Sequence, residues 1–290
     1  MNDELGWISA ASFKRPVSTP RSAWTTHGAF AFWLVENLKP DCIVELGALA
    51  GYSYLCFCQQ VLSSKLPARC YAVDTWEGDE HNGFYGDAVL AKLRAAHDPK
   101  YGAFSKLIRS TFDEAVLGFE DKSIDLLHVD GRHFYDDVKH DFEKWKPKLS
   151  DRAVVLFHDT QVRTRDFGVW RFWEELSREH PHFEFYHGHG LGVLCFGTDP
   201  VTRNLPIFSP ALYEGERSRI RAAYETLGNV LAGGVKLLPK SPCPCGSGVR
   251  LSECHGMPKD SEQSLVSRLL RRVLGGRATR RVERLMGFRL

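Results

Sequence analysis

The sequence of 290 residues lacks several features, and each absence narrows its class. No apolar run approaches the ~18 residues that a membrane-spanning helix needs. The first residues, Met1 to Glu4, lack the basic-then-apolar order of a secretory leader, so we expect a cytoplasmic protein. No internal repeat recurs at a fixed period, and no nucleic-acid-binding motif is present, so we expect no specific nucleic-acid partner. Hydrophobic residues make up 43% and charged residues 26%, as in an ordinary globular protein.

The eight cysteines and the charges are unevenly distributed. Five cysteines lie in apolar stretches and are predicted to be buried thiols, whereas three cluster in a polar segment between residues 243 and 254. Without an export signal, that cluster favours a metal site over disulfides. Residues 261–290 hold eight arginines and two glutamates, a local charge of +6 in a chain of net charge +2. The positive charge therefore belongs to the tail.

Strand-like and helix-like segments alternate from residue 24 onwards. Buried strands are predicted at 42–44, 70–73, 105–108, 124–129 and 153–157, with helices between them, and two further strands at 183–186 and 192–196 end the series. This order predicts an α/β fold with a doubly wound, mostly parallel sheet of seven strands and an antiparallel strand near one edge. Prolines at 200, 206 and 210 then mark a linker, and 211–231 reads as a helix.

A glycine turn follows the first predicted strand. Its spacing is Glu45-x-Gly47-x-x-x-Gly51, and Leu49 stands where a dinucleotide site needs its middle glycine. Glu45 suits a cationic amino group, and Asp74 at the end of the second strand suits a ribose diol, so the pair favours a nucleoside that carries an amino acid. A turn without any ligand is the alternative.

This turn resembles that of the class I S-adenosylmethionine-dependent methyltransferases. The matching residues are Glu-Leu-Gly-x-x-x-Gly at 45–51 and an acid at the end of the second strand. The resemblance implies the Rossmann-like methyltransferase fold. It also implies that Glu45, Gly47, Gly51 and Asp74 line the S-adenosylmethionine site.

Two acids and two histidines follow the fourth and fifth strands. Asp130 and His133 come after the former, and His158 and Asp159 after the latter, so all four should meet at the rim that carries the glycine turn. Uncompensated acids would repel each other there, which favours a bound Mg²⁺ or similar cation. We predict Asp130, His158 and Asp159 as its ligands and His133 as the base that takes a proton from a hydroxyl. Structural roles for either histidine are the alternative.

The same residues resemble metal-dependent O-methyltransferases that act on sugars of macrolides and related glycosides. They also resemble bacterial methyltransferase domains associated with polysaccharide-building glycosyltransferases, through the runs at 73–81 and 128–138. The likeness covers about residues 15–197, and His158 departs from the acid that the family has there. It implies methyl transfer to a hydroxyl of a glycan or small molecule. A cephalosporin-hydroxylase-like oxidoreductase and a non-catalytic interaction protein are the alternatives.

The loop at 75–85 is aromatic and acidic. It is either a lid whose Trp76 and Tyr85 stack on a sugar or a surface loop with its aromatic side chains packed against the core.

Four soft or borderline ligands lie near the end of the chain: Cys243, Cys245, Cys254 and His255. Such a set suits tetrahedral structural zinc, and so short a segment has too little core to fold without it. The segment resembles the SEC-C motif of a preprotein translocase ATPase, which implies a docking element for a protein partner. The basic tail has helical apolar spacing and can pack on the protein, bind an acidic partner or lie on an anionic membrane at the inner face.

These features divide the chain into four parts. We assign 1–199 to the methyltransferase domain, 200–239 to a linker and helix, 240–258 to the zinc motif and 259–290 to the basic amphipathic tail.

Overall fold

The computed structural model describes residues 6–81 and 83–232, in which helices and strands alternate. The helices are α1 (Gly28–Leu38), α2 (Tyr52–Ser64), α3 (Ala88–Tyr101), α4 (Phe112–Ala115), α5 (Tyr135–Trp145), α6 (Val169–Glu179), α7 (Pro200–Arg203) and α8 (Glu214–Leu231). The strands are β1 (Cys42–Leu46), β2 (Arg69–Asp74), β3 (Gly78–Asp79), β4 (Gly83–Phe84), β5 (Ser105–Arg109), β6 (Ile124–Val129), β7 (Leu149–His158), β8 (His182–Phe185) and β9 (Leu191–Cys195). The predicted zinc motif and basic tail lie outside the described residues.

Seven strands form the main sheet in the order β5-β2-β1-β6-β7-β9-β8. All neighbours pair in parallel except β9, which is antiparallel to both β7 and β8. The predicted α/β architecture with a mostly parallel seven-stranded sheet is therefore confirmed. The direction of strand succession reverses between β1 and β6, and the crevice at their carboxyl ends is where such sheets bind ligands.

Helices cover both faces of the sheet, which explains why its central strands read as apolar runs. One core cluster contains Trp24, Phe30 and Trp33 on the side of α1 and α2. A second contains Phe142 and Trp173 on the side of α5 and α6. All residues of β6 are buried. This packing holds the strand ends in fixed positions at the crevice.

The structure changes some predicted boundaries. The helix predicted from Trp24 begins as a 3-10 segment at Ala23–His27, capped by the Ser22 hydroxyl, which accepts a hydrogen bond from the Trp24 N–H at 3.0 Å. The strand predicted at 153–157 extends back to Leu149. Among the described residues, no helix is both long enough and apolar enough to cross a membrane.

Candidate active site at the carboxyl ends of β1, β2, β6 and β7

The glycine turn packs directly against the end of β6. Gly47 has φ +88°, and a Cβ on it would lie 2.0 Å from the carbonyl oxygen of Asp130. Its N–H donates to the carbonyl of Val73 at 2.9 Å, which ties the turn to β2 as well. Only glycine fits so close an approach with a positive φ. The turn therefore brings the ends of three strands together.

A first cavity of about 210 Å³ opens beside this turn. Gly47, Asp74, Asp79, Tyr85, Phe112 and Asp130 are among its lining residues. This lining combines aromatic rings, a glycine turn and the acids Asp74 and Asp79. Such a combination suits a nucleoside with a cationic side chain. Two of the four predicted cofactor residues, Gly47 and Asp74, line this first cavity.

Asp74 has the geometry of a hydroxyl acceptor. Its two carboxylate oxygens accept hydrogen bonds from the N–H groups of Leu49 at 2.9 Å and Trp76 at 2.7 Å. Burial raises the pKa of Asp74, and these backbone donors oppose the rise. Each oxygen keeps a second lone pair, so a diol at the cavity wall can donate to it.

Glu45 and Gly51 are not among the lining residues of the first cavity. Glu45 is fully buried and accepts hydrogen bonds from His128 Nδ1 at 2.9 Å and from the Ser53 hydroxyl at 2.9 Å. The Trp24 indole can only donate, and it donates to His128 Nε2, so the His128 proton lies on Nδ1. Burial raises the pKa of Glu45, and His128 opposes that rise. Glu45 thus has an interior position, and its predicted contact with an amino group stays a prediction. Gly51 serves as the N-cap of α2 with φ +82°.

A second cavity of about 120 Å³ adjoins the first. It shares Gly47, Leu49 and Asp130 with the first cavity, and its other lining residues include His133, His158 and Asp159. The two acids and two histidines predicted to converge therefore do so. A ligand in the first cavity and a ligand in the second would meet at the glycine turn.

Asp130, His133 and Asp159 form a compact cluster, the cation group. One ligand atom from each of these residues lies within 4.8 Å of the other two. His133 Nε2 lies 3.0 Å from Asp159 Oδ2 and 3.9 Å from Asp130 Oδ1. Neighbouring ligands of octahedral Mg²⁺, each about 2.1 Å from the ion, lie about 3.0 Å apart. The group that matches a cation site thus contains His133, which the sequence analysis predicted as the base, and leaves out His158.

His158 is hydrogen-bonded at both ring nitrogens. Nε2 donates to the Gly188 carbonyl at 2.9 Å, and Nδ1 lies 3.2 Å from oxygens of both Asp130 and Asp159. Burial disfavours the charged ring, but the two carboxylates outweigh it and raise the pKa of His158 well above its usual value. Without a metal ion, the charged ring bridges the two acids. The same Nδ1 faces the position between the acids that the predicted ligand role requires, so that role stays a prediction.

Three imidazoles lie within hydrogen-bond distance of Asp159. His133, His158 and His189 lie 3.0, 3.2 and 3.0 Å from its oxygens, and the Asp159 side chain is only 6% exposed. Burial would raise the pKa of this carboxyl, but the charge of His158 and hydrogen bonds from the surrounding imidazoles hold it below its usual range. Its φ of +62° is unusual outside glycine. The network holds Asp159 in place as an anion.

The tautomer of His133 follows from its neighbour His81. His81 Nε2 donates to the Arg165 carbonyl at 2.8 Å, so neutral His81 offers a lone pair at Nδ1. His133 Nδ1 lies 3.3 Å from that atom and donates to it. Neutral His133 then has its Nε2 lone pair directed at Asp159. A lone pair and a carboxylate oxygen at 3.0 Å repel each other unless a proton or a metal ion lies between them.

The loop after β2 forms a small hairpin of β3 and β4. Trp76 is fully buried, and its indole donates to the Leu49 carbonyl at 2.9 Å. Trp76 therefore packs against the core, as the second interpretation of this loop expected. Tyr85 lines the first cavity, and Phe84 is 78% exposed at the hairpin.

Three residues of the second cavity with basic side chains were not among the predicted site residues: His81, Arg165 and His189. His189 lies in the turn His187-Gly188-His189-Gly190 between β8 and β9. Two histidines that alternate with two glycines were the only signal for it, because its contact with Asp159 spans 30 residues. Arg165 and His81 carried no such signal, since they meet only in the folded chain.

Residues 44–160 match the model of a family described as a methyltransferase domain. The match includes the glycine turn, Asp74 and the cation group. The chain is 53% identical over 198 residues to the uncharacterized protein y4gI of Sinorhizobium fredii strain NBRC 101917 / NGR234. That alignment covers 68% of this chain and 22% of y4gI, so the chain spans about a fifth of the length of that curated relative.

Solved methyltransferase structures also align with the chain. S-adenosylhomocysteine-bound PaMTH1 from Podospora anserina aligns with a TM-score of 0.44 and 18% identity, over 58% of this chain and 76% of that one. A methyltransferase from Geobacter sulfurreducens aligns with a TM-score of 0.43 and 21% identity, also over 58% and 76%. Nothing about substrate or mechanism follows from likenesses of this size. Residues 44–160 are thus similar in sequence to a methyltransferase domain.

Proposed function

We propose that this chain is an S-adenosylmethionine-dependent O-methyltransferase that uses a divalent cation and acts on a sugar hydroxyl of a glycoconjugate or surface polysaccharide. One observation carries the proposal. A cavity suited to a nucleoside and a cavity with a cation group share Gly47, Leu49 and Asp130. A methyl donor and an acceptor bound in the two would be adjacent. The sugar as acceptor rests on the resemblance of residues 73–81 and 128–138.

In this proposal Asp130, His133 and Asp159 hold the cation. Their ligand atoms and the Nε2 lone pair of neutral His133 suit a hard ion with a borderline nitrogen ligand. When bound, the cosubstrate supplies an electrophilic methyl group and the cation lowers the pKa of a hydroxyl. His158 bridges the two acids and keeps them in position.

A proton must leave the acceptor as its oxygen gains the methyl group, while the S–CH₃ bond breaks and the O–CH₃ bond forms. His133 cannot use one lone pair for both a cation and that proton. His189 offers the alternative, since its Nδ1 donates to Asp159 at 3.0 Å and its half-exposed ring lines the second cavity. Its Nε2 then carries the lone pair, as in other carboxylate-oriented histidine bases. We therefore assign the cation to His133 and the proton to His189.

The test is methyl transfer by the full chain to a panel of glycosides and polysaccharide fragments, followed by mass spectrometry for a gain of one methyl group. We expect transfer with Mg²⁺ and at least a tenfold loss with EDTA. A protein that binds no S-adenosylmethionine, or transfer that EDTA leaves unchanged, would contradict the proposal. A hydroxylase on the same fold would consume no S-adenosylmethionine.

Matched histidine variants separate the two roles. His133→Gln should raise the Mg²⁺ concentration needed for half-maximal rate, whereas His189→Gln should lower kcat by about a hundredfold at saturating Mg²⁺. His140→Gln is the control, because His140 lies on the exposed face of α5 against Asp113. If His133→Gln instead lowers kcat with unchanged Mg²⁺ dependence, His133 is the base that the sequence analysis predicted.

The segments beyond the described residues are part of a separate proposal. We propose that Cys243, Cys245, Cys254 and His255 hold one structural Zn²⁺ and that this element docks a protein partner. The basic tail would then place the chain at an anionic membrane surface. Both rest on the sequence patterns alone.

A further inference from the structure

The arginines around the two cavities differ in their counter-charges. Arg132 lies 3.2 Å from Glu80 and 3.3 Å from Asp137, so its charge is neutralised by two carboxylates. Arg163 donates to the Thr160 carbonyl at 2.7 Å and lies 3.9 Å from Glu174. Both guanidinium groups are therefore occupied within the protein.

Arg165 is different. It lines the second cavity and is exposed, and its guanidinium carbon lies 5.1 Å from the centre of the Phe167 ring, which lines the same cavity. Within the part of the chain that the structure describes, no carboxylate lies at ion-pair distance from it. Its carbonyl accepts a hydrogen bond from His81 at 2.8 Å. Arg165 is thus an exposed cation at the cavity without a paired carboxylate among the described residues.

The charges of the second cavity make this cation significant. A divalent cation alone would balance the carboxylates of Asp130 and Asp159, and the charged His158 contacts the same two acids, so no negative charge would remain to compensate the guanidinium of Arg165. A guanidinium presents several donors in a planar fork that matches a carboxylate or a phosphate. In a cavity this small, such a group selects for charge on whatever binds beside it.

The Phe167 ring contacts both the Arg165 guanidinium and His133 of the cation group. The Phe167 ring stacks on His133 with centres 4.5 Å apart and planes at 9°, and it also contacts Arg165. The guanidinium and His133 therefore contact the same ring, and all three residues line the second cavity. An acceptor with its hydroxyl at the cation group can extend another substituent to Arg165.

We propose that the acceptor is an anionic sugar, and that Arg165 binds its carboxylate or phosphate while a neighbouring hydroxyl occupies the cation group. This inference rests on the proposed function, since it names the substrate class of the same site. Uronic acids and sugar phosphates share the required chemistry.

The test uses three probes with the full chain in the presence of S-adenosylhomocysteine and Mg²⁺: D-glucuronate, D-glucose 6-phosphate and D-glucose. Binding is followed by NMR titration for the wild type, Arg165→Gln and Arg163→Gln. Arg163 is the matched control, because it lies two residues away and is not among the residues that line either cavity. The two charged probes distinguish carboxylate from phosphate recognition.

We expect at least one charged probe to bind the wild type about tenfold more tightly than glucose, as a charge-assisted hydrogen bond provides. Arg165→Gln should reduce this advantage to less than about threefold, and Arg163→Gln should keep it. An advantage that survives in Arg165→Gln would mean that the Mg²⁺ alone holds the anion, and would overturn the proposal. Equal binding of all three probes to the wild type would also overturn it.

A separate measurement distinguishes failure of this inference from failure of the proposed function. S-adenosylmethionine binding is titrated in the same preparations. Absent binding in the wild type contradicts the methyltransferase proposal, whatever the sugars do. Normal binding together with equal affinity for charged and neutral sugars contradicts only the role of Arg165.

Discussion

Neutralising the Asp159 carboxylate should greatly reduce the stability of the fold. Asp159→Asn keeps the shape of the side chain but removes the charge that three imidazoles contact. The new amide NH₂ group would also face an N–H group of His158 or His189, and neither of these groups can accept a hydrogen bond. Breaking a buried ion pair by removing one partner costs about 3–5 kcal/mol. We expect a loss of that size in the free energy of unfolding, measured by urea denaturation at pH 7 in EDTA.

Asp121→Asn is the matched control. Asp121 also pairs with a cation, Lys148 at 2.7 Å, but its side chain is 71% exposed. Exposed pairs contribute about 0–1 kcal/mol, so this variant should remain near the wild type. Equal losses in the two variants would refute the reasoning, because they would show that the carboxylate network at Asp159 is as weak as a surface pair.

The pH dependence gives a second test of the same network. The folded-state pKa of Asp159 is lowered, so its contribution is present above an unfolded pKa of about 4 and is lost as the pH falls through the folded value. The folded-state pKa of His158 is raised, so its contribution is complete below about 6.5 and is lost as the pH rises through the folded value. The stability difference between wild type and Asp159→Asn should therefore be largest near pH 5–6 and should decrease at alkaline pH. A difference that grows above pH 8 would contradict the assignment.

Three further variants test other parts of the account. Gly47→Ala, whose Cβ would lie 2.0 Å from the Asp130 carbonyl oxygen, should weaken S-adenosylmethionine binding at least tenfold by calorimetry, whereas Gly118→Ala, with nothing within 4 Å, should not. Asp74→Asn should weaken the same binding by about tenfold through its lost acceptor strength, and unchanged affinity would remove Asp74 from the cofactor site. Cys245→Ser should lose one zinc per chain by elemental analysis while the methyl transfer rate stays unchanged; retained zinc would exclude Cys245 as a ligand.

Much of the fold could be predicted because local signals and tertiary structure agree. The strand at 124–129 has its predicted bounds, and helices lie between the strands as predicted, since apolar periodicity and the surrounding turns favour the same elements. The β-α alternation then determines which strand ends share a rim. Asp130, His133, His158 and Asp159 could therefore be placed together from the sequence alone.

The division of roles within the site could not be predicted in this way. Glu45 belongs to the expected motif, but its carboxylate faces His128 from a neighbouring strand and a serine of α2. The hydrogen bond from His158 Nε2 to the Gly188 carbonyl, 30 residues away, determines that Nδ1 faces the two acids, and no residue spacing indicates it. His189 and Arg165 reach the cavity from loops whose paths depend on packing. Such contacts depend on side-chain distances, which residue spacing does not determine.

The central claim is that a methyl donor and a divalent cation occupy adjoining cavities of one site. Mn²⁺ can replace Mg²⁺ and broaden NMR signals of nearby nuclei, so the ¹³C-methyl signal of bound S-adenosylmethionine measures this adjacency directly. We predict strong broadening of that signal when Mn²⁺ binds the wild type and its loss in Asp130→Asn. A sharp methyl signal with Mn²⁺ bound to the protein would contradict the claim.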